Sequence, residues 1–183
     1  MNKILFLILP MISFVSCASV PMEKKTLDGL VYDEQNVPVS GVSVFYNDVK
    51  IAETDLYGHF YSEGISFLPD DKLSFHKGGY ETVNLNLSLS SYPSLVYVTV
   101  ESLESIIEKT ASLIKVYDIQ DAEKNMKRLI NADKSFDEKV RTAVLECALL
   151  FKEKKYADCS KKAREYLELY ENPVFEKIAE KAE

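Results

Sequence analysis

The chain has 183 residues, enough for one large domain or two small ones. Its 46% hydrophobic and 28% charged residues are typical of a folding chain rather than a disordered one. A net charge of −7 argues against a nucleic-acid-binding protein, and two histidines with three cysteines exclude the usual zinc clusters and a disulfide framework.

The first 17 residues have the pattern of an export signal. Lys3 supplies a positive charge, and an apolar run from Ile4 to Val15 follows it. This run is shorter than the roughly 20 residues that cross a bilayer as a helix, and it has the size of the hydrophobic region of a signal peptide. No later run approaches that length, so lasting membrane attachment would need another group.

Cys17 is the candidate for that attachment, because the sequence VSCA around it resembles the lipobox of bacterial lipoproteins. The family has Leu three positions before the cysteine, where this chain has Phe14. The resemblance implies a diacylglycerol on the Cys17 sulfur, cleavage just before it and acylation of the new N-terminus. Each buried methylene contributes roughly 0.8 kcal/mol, so several acyl chains anchor stably. We expect a lipid-anchored protein of the bacterial cell envelope, in the outer membrane by preference, with residues 18–25 as a tether.

Two alternatives to lipidation stay open. Ser16, Cys17 and Ala18 also form a small-x-small cleavage site, so an ordinary signal peptidase would cut after Ala18 and release a soluble protein. In the other alternative the signal is not cut or the chain stays in the cytoplasm.

The composition changes near residue 102. Residues 26–101 contain 3 Lys, no Arg and 11 Asp plus Glu, whereas residues 102–183 contain 16 basic and 17 acidic residues. All six glycines lie in the first of these segments. Aromatic, β-branched sequence interrupted by glycine predicts strands, and glycine-free sequence of mixed charge predicts helices. We therefore place a domain boundary between residues 101 and 102.

Seven short runs in residues 26–101 predict the strands of a β-sandwich. The runs are Leu27–Tyr32, Val42–Tyr46, Lys50–Thr54, His59–Ser62, Lys72–His76, Thr82–Leu89 and Leu95–Val100. Turn residues separate most of them, as is typical of a sandwich. Thr82–Leu89 alternates apolar and polar residues, which predicts a half-buried antiparallel strand.

Four segments in this half resemble the carboxypeptidase regulatory-like family. They are GLVYD at 29–33, VPVSGVSV at 37–44, TDLYGHF at 54–60 and GYE at 79–81. The family prefers Gly in the first hairpin, where this chain has Asn36, a residue that also tolerates a left-handed conformation. The resemblance implies a seven-stranded, transthyretin-like Greek-key sandwich, which in carboxypeptidases is an accessory domain and not the catalytic one.

The residues of the third motif have physical roles that need no ligand. We expect Thr54 and Asp55 to bind backbone amides of the turn. We expect Gly58 to adopt a positive φ, so that Phe60 can enter the core.

Five segments of residues 102–183 have apolar residues at helical spacing. They are Leu103–Tyr117, Asp121–Asn131, Asp137–Lys154, Tyr156–Tyr170 and Val174–Glu183, and Pro173 precedes the last. The predicted buried face of the second consists of Ala122, Met126, Leu129 and Ile130. The short breaks between the segments predict antiparallel helix hairpins.

The two predicted hairpins resemble each other at an offset of 37 residues. Ala122, Met126 and Leu129 correspond to Cys159, Ala163 and Tyr166, and Thr110 and Leu113 to Cys147 and Leu150. The sequence FKEKKYADC at 151–159 resembles the turn of a tetratricopeptide repeat, a repeat of 34 residues. The first copy would carry a short insertion, and it has Thr110 where the repeat has Gly or Ala. Two such repeats and a final helix would form a short bundle rather than a long solenoid.

Cys147 and Cys159 correspond to the two small-residue positions that face each other in such a repeat. An exported protein permits a disulfide between them, and two buried thiols satisfy the same packing. Both interpretations stay open.

The sequence has no nucleophile elbow, phosphate-binding loop or metal-ligand spacing, so we predict neither catalytic residues nor a cofactor. We expect a non-catalytic scaffold or adaptor for another envelope protein, attached to the membrane by its lipid and without a nucleic-acid partner. Tyr117, Tyr166, Tyr170 and Phe175 either form an exposed contact patch or pack the last helices together.

Two other functions are alternatives. The protein could be a carbohydrate- or ligand-binding module, in which Tyr46, Tyr57, Tyr61 and Tyr92 stack on sugars. It could also be an accessory subunit of an exported peptidase, an interpretation that follows from the family resemblance alone.

Overall fold

The computed structural model describes residues 25–66, 71–86 and 95–183, which form seven strands followed by five helices. The chain therefore combines β-sheet with helix. The strands are β1 (Lys25–Asp33), β2 (Ser43–Tyr46), β3 (Val49–Glu53), β4 (His59–Ile65), β5 (Lys72–His76), β6 (Val83–Asn86) and β7 (Val96–Val100). The helices are α1 (Leu103–Lys115), α2 (Ile119–Ile130), α3 (Phe136–Lys152), α4 (Tyr156–Tyr170) and α5 (Val174–Lys181).

The strands form a three-stranded sheet in the order β4-β1-β7 and a four-stranded sheet in the order β3-β2-β5-β6. β1 and β7 are parallel, and the other neighbours are antiparallel. Both sheets contribute to one apolar core, whose most deeply buried side chains include Leu27, Val31, Val44, Phe60, Leu73 and Phe75. Along β1 the buried residues alternate with partly exposed ones, so one face of the three-stranded sheet covers the core and the other faces outward.

Each of the seven predicted runs overlaps one of these strands. The run Thr82–Leu89 extends past β6, and its last three residues lie outside the described part of the chain. β4 continues to Ile65, three residues beyond the prediction, because Ile65 pairs with Lys25 across a shift in register.

Gly29 in β1 lies where no side chain fits. A Cβ atom there would be 2.4 Å from the ring of Phe60 and 2.6 Å from the carbonyl oxygen of Val96. Phe60 fills this space, and its ring meets that of Phe75 edge to face at 5.6 Å between centroids. The glycine therefore makes room for the largest side chain at the centre of the core.

The turn between β3 and β4 confirms the predicted roles of Asp55, Gly58 and Phe60. Oδ1 of Asp55 accepts the backbone N–H of Tyr57 at 2.8 Å and of His59 at 2.9 Å, and these bonds lower the pKa of Asp55. Gly58 has a φ of +72°, and a Cβ there would be 2.3 Å from the carbonyl oxygen of Val31. Phe60 is buried as expected.

Thr54 was expected to bind backbone amides of the turn, but its hydrogen bonds go to other residues. Its hydroxyl accepts the N–H of Val42 at 2.8 Å and donates to the carbonyl of Val39 at 2.7 Å. Thr54 therefore holds the chain that leads into β2 rather than the amides of its own turn.

The helices form two hairpins, α1–α2 and α3–α4, that share one turn geometry at the predicted offset. Tyr117 has a φ of 65° and Lys154, 37 residues later, a φ of 62°. The N–H of the following residue, Asp118 or Lys155, donates at 3.0 Å to the carbonyl five residues before it in both turns. Equivalent buried positions also agree, since Ala122, Cys159, Thr110 and Cys147 are all completely buried. The hydroxyl of Thr110 donates to the carbonyl of Ile106 at 2.6 Å, which satisfies it in the core.

The predicted buried face of α2 is wrong at Ile130, whose side chain is 64% exposed. Ala122, Met126 and Leu129 form the buried face, and Ile130 lies about 100° around the helix from Leu129.

Helix α3 is buried on two sides, although an apolar stripe at helical spacing by itself indicates a single buried face. Val140, Ala143 and Cys147 pack against α4 and α5. Leu145 and Leu149 belong to a separate apolar cluster with α1 and α2. The helix therefore joins the two hairpins.

Charged side chains bind the first hairpin to the sheets. Arg128 in α2 donates from Nε and Nη2 to the two carboxylate oxygens of Glu81 at 2.8 Å each, and from Nη2 to Glu101 at 2.5 Å. Lys109 also pairs with Glu101. Burial alone would raise the pKa of Glu101, but the bonds from Lys109 and Arg128 outweigh it and hold this pKa below its ordinary value. The hairpin is thus held to the end of the sheets by a half-buried ionic network.

Candidate interaction surface

The predicted lipidation site lies outside the described residues, but the start of the described chain shows which end of the sheets follows the tether. In the parallel pair of β1 and β7, Asp33 is opposite Val100, three residues before α1. Lys25 lies at the other end of β1, next to Ile65. Lys25, the last residue of the predicted tether, therefore lies at the end of the sheets away from α1. Within residues 25–66, 71–86 and 95–183, no helix has the length and apolar character to cross a membrane.

The two cysteines of the second hairpin are completely buried free thiols. The Sγ–H of Cys159 donates to the carbonyl oxygen of Cys147 at 3.3 Å. Burial raises the pKa of Cys147 to about 12 and also raises that of Cys159, which suppresses the reactive thiolate at neutral pH. In this state the two side chains act as small apolar groups between α3 and α4.

Three of the four candidate aromatic residues of the helices pack against each other. The ring centroids of Tyr166, Tyr170 and Phe175 are 5.5 to 6.0 Å apart, and Phe175 is completely buried. The hydroxyl of Tyr166 donates to Glu146, and burial with this bond raises the pKa of Tyr166. These rings therefore join α4 to α5 and leave Tyr117 as the exposed member of the set, at 64%.

An apolar groove lies between α3 and α5. Its volume is about 340 Å³, within the range of ligand pockets. Its lining consists of Val144, Cys147, Ala148, Phe151, Lys152, Val174, Ile178 and Lys181. Apart from the two lysines, all of these side chains are apolar. The groove forms because α3 and α5 both pack on α4 and make few direct contacts with each other.

Tyr117 extends this surface. Nζ of Lys152, at the edge of the groove, lies 3.9 Å from the centroid of the Tyr117 ring, a favourable cation–π contact. The exposed ring, the lysine and the groove therefore form one continuous surface, which we call the helical groove. Tyr117 could be singled out from the sequence, whereas the helical spacing of Val144 and Phe151 does not show that α5 leaves them partly uncovered.

Of the tyrosines predicted as sugar-stacking candidates, the three that the structure describes lie at separate places. The hydroxyl of Tyr46 donates to the carbonyl of Ser66 at 2.7 Å and to Asp71, which fixes this ring at the sheet end. Tyr57 is exposed on the turn before β4, and Tyr61 is half-exposed on the outer face of the three-stranded sheet. Tyr92 lies outside the described residues.

The structure adds Tyr97 to the outer face of the three-stranded sheet, where its side chain is 67% exposed. Tyr97 of β7 is opposite Leu30 of β1, and Tyr61 of β4 is opposite Asp28 of β1. The two tyrosine rings therefore lie on the same sheet face, on opposite sides of β1. Nε2 of His59 is 2.6 Å from a carboxylate oxygen of Asp28 on the same face. Strand periodicity could have placed Tyr97 here, because it alternates with the buried Val96 and Val98.

No family model matches the chain, and no curated protein matches it. Among the described residues, no group of three or more His, Cys, Asp or Glu side chains has an arrangement that could hold a metal ion. The resemblances drawn from the sequence therefore stay predictions, and the helical groove and the outer sheet face are the features from which a function can be inferred.

Proposed function

We propose that the protein is a non-catalytic lipoprotein of the bacterial cell envelope that acts as an adaptor and binds another envelope protein through its helices. The helical groove is the observation that carries this proposal. Burial of apolar surface contributes roughly 25 cal/mol per Å², and aromatic residues are enriched in the cores of interfaces. A groove lined by six apolar side chains next to an exposed tyrosine supports protein binding better than catalysis.

We further assign the sheets to a transthyretin-like Greek-key sandwich and the helices to a tetratricopeptide-like pair. The first assignment is supported by Gly58 and Asp55, whose conformation and hydrogen bonds match the roles expected from the motif. The second is supported by the shared turn of the two hairpins, including the left-handed residues Tyr117 and Lys154.

The arrangement gives each part of the proposed adaptor a role. A lipid on Cys17 and the tether of residues 18–25 would hold the sheets by the end that carries Lys25. The helices follow β7 at the opposite end, so the sheets would act as a spacer between the membrane and the helical groove. The contacts of Arg128 would keep the helices from swinging freely.

Metabolic labelling with a fatty-acid analogue tests the anchor. The full-length protein should be labelled and recovered with membranes, and Cys17→Ala should lose both properties. Equal labelling of the two proteins, or a wild type recovered in the soluble fraction, would exclude the anchor and favour soluble export.

Cross-linking in intact cells tests the adaptor role. Ile178→Arg places a charge in the helical groove, and Glu176→Arg places the same charge on an exposed position of the same helix. We expect the first to lose cross-linked products that the wild type and the second retain. Val174→Arg repeats the test at another lining position in case Ile178→Arg unfolds, and retention of every product by both groove variants would reject the proposal.

The outer face of the three-stranded sheet supports carbohydrate binding as a second candidate function. It combines two exposed tyrosine rings, Tyr61 and Tyr97, with the hydrogen-bonding pair of Asp28 and His59. Rings can stack on the apolar faces of sugars, and the polar pair can bind hydroxyl groups. Sedimentation with insoluble cellulose, chitin and peptidoglycan tests it: Tyr97→Ala should release the protein, whereas Tyr57→Ala, on the turn, should not. Absence of sedimentation by the wild type would end this candidate.

The peptidase-subunit interpretation follows from the family resemblance alone.

A further inference from the structure

We infer that the segment bound in the helical groove carries a bulky apolar side chain flanked by carboxylates. This inference rests on the proposed function, because it specifies the chemistry of the partner at the same groove. It is based on the combination of an apolar floor with a rim of one charge sign.

The floor of the groove selects for an apolar group. Val144 and Phe151 from α3 face Val174 and Ile178 from α5, and all four are partly exposed to solvent in the groove. A space of about 340 Å³ between them suits one or two side chains of the size of Leu or Phe. Polar side chains there would lose their hydration without finding partners.

The rim of the groove selects for negative charge. Lys152 on α3 and Lys181 on α5 are the charged residues of the lining, one on each helix. Neither forms an ion pair with any residue that the structure describes, so both ammonium groups are available to carboxylates of a partner. Residues 102–183 have nearly equal numbers of acidic and basic residues. The purely positive charge of the groove lining is therefore a local feature and does not reflect an excess of bases in the helices. Carboxylates beside the bound side chain would pair with these lysines, and a basic partner would be repelled.

The rim is also partly ordered before any partner binds. Nζ of Lys152 is held 3.9 Å from the Tyr117 ring centroid. A long side chain that is already positioned loses less conformational freedom on binding, which increases its contribution to affinity. We assign the carboxylates to Asp or Glu side chains on both sides of the apolar residue, because Lys152 and Lys181 lie on two different helices and a single terminal carboxylate does not supply a partner for each.

Calorimetric titration of the full chain with short peptides tests this chemistry. The blocked peptides DDLFDD and NNLFNN share their apolar residues and differ in charge, and NNLF with a free carboxyl end supplies one terminal carboxylate. The protein variants are Lys152→Gln, Lys181→Gln and their combination. Lys177→Gln, on the exposed side of α5, is the matched control.

We expect DDLFDD to bind about tenfold more tightly than NNLFNN at low salt. Each single lysine variant should weaken DDLFDD by roughly two- to fivefold, the range of exposed ion pairs, and the double variant should bring it to the level of NNLFNN. The control should bind like the wild type, and added salt should reduce the difference between the peptides. Tight binding of DDLFDD alone would support side-chain carboxylates, and equally tight binding of NNLF would overturn this assignment in favour of a chain terminus.

Other results would separate this inference from the proposed function. If DDLFDD and NNLFNN bind equally, the double variant has no effect and Ile178→Arg abolishes both, the groove binds a partner but the inferred charge is wrong. If no peptide binds, or if Ile178→Arg leaves binding unchanged, the inference fails and the groove loses its support as the binding site. Binding of anionic phospholipid vesicles in place of peptides, dependent on both lysines, would assign the groove to lipid and overturn the inference.

Discussion

The two helical hairpins have the same turn but different neighbours. The first packs beside the sheets, where Arg128 binds Glu81 and Glu101. At the equivalent position, 37 residues later, the second hairpin has Glu165, which is exposed. The second hairpin instead packs against α5 and borders the helical groove. A few side chains on a repeated backbone thus attach one copy to the sheets and leave the other to border the helical groove.

The largest loss of stability is expected from a substitution in the core between α5 and the second hairpin. Phe175 is completely buried between α4 and α5, so Phe175→Ala should lower the free energy of unfolding by about 3–5 kcal/mol. Phe136 is the control, because its ring is 64% exposed and meets Tyr170 only edge to face. Phe136→Ala should cost about 0.5–1.5 kcal/mol. Urea denaturation measures both, and similar values for the two variants would show that α5 is not packed as described.

A substitution that breaks the ionic attachment of the first hairpin should cause the next largest loss of stability. Arg128→Met leaves the carboxylates of Glu81 and Glu101, 15% and 12% exposed, without their shared partner. Loss of one partner of a buried ion pair costs several kcal/mol, and partial exposure reduces this to roughly 1–3 kcal/mol here. Glu165→Met, the equivalent change in the second hairpin, should stay within about 0.5 kcal/mol. If both changes cost the same, the two hairpins do not differ in attachment.

The pH dependence of stability provides a third contrast. The pKa of Glu101 is below its reference value of 4.5 in the folded protein. A lowered folded pKa means that the stabilisation is present above about pH 4.5 and is lost as the pH falls through the folded pKa. The stability difference between wild type and Arg128→Met should therefore be full at pH 7 and shrink below pH 4.5. A difference that is constant from pH 7 to pH 3 would contradict the ionic network.

The smallest effect concerns the shared turn. Tyr117 and Lys154 adopt left-handed conformations that favour glycine after a helix end. Lys154→Gly should stabilise the protein by about 0.5–1 kcal/mol, because relief of about 1–2 kcal/mol of left-handed strain outweighs the entropy that glycine adds to the unfolded chain. Tyr117→Gly should gain less, because it also removes the ring beneath Lys152. Thermal melting compares the two, and a clear loss of stability with Lys154→Gly would show that the two turns are not equivalent.

Local patterns predicted most of the fold. Alternation in Thr82–Leu89, turn residues such as Gly58, and helical spacing in α1 to α5 each depend on residues close in sequence. The offset of 37 residues was also visible, because the two hairpins repeat the same small residues at Ala122 and Cys159.

Features formed between distant elements could not be predicted. Periodicity does not show how many neighbours a helix has, so the second buried face of α3 at Leu145 and Leu149 was missed. Arg128 meets Glu81 across 47 residues of sequence, and nothing in the local pattern of α2 indicates this contact. The helical groove likewise exists because of the space between α3 and α5, which depends on how both pack against α4.

Site-specific photo-cross-linking in living cells tests most directly whether recognition takes place in the helical groove. A benzophenone amino acid is placed at Val174, in the groove, or at Glu176, on the exposed side of the same helix, in the full-length protein. The account predicts a light-dependent adduct with one protein at Val174, its loss when Lys152 and Lys181 are both changed to Gln, and none at Glu176. Equal adducts at both positions, or none at Val174 and a strong one at Tyr97 on the outer sheet face, would contradict it.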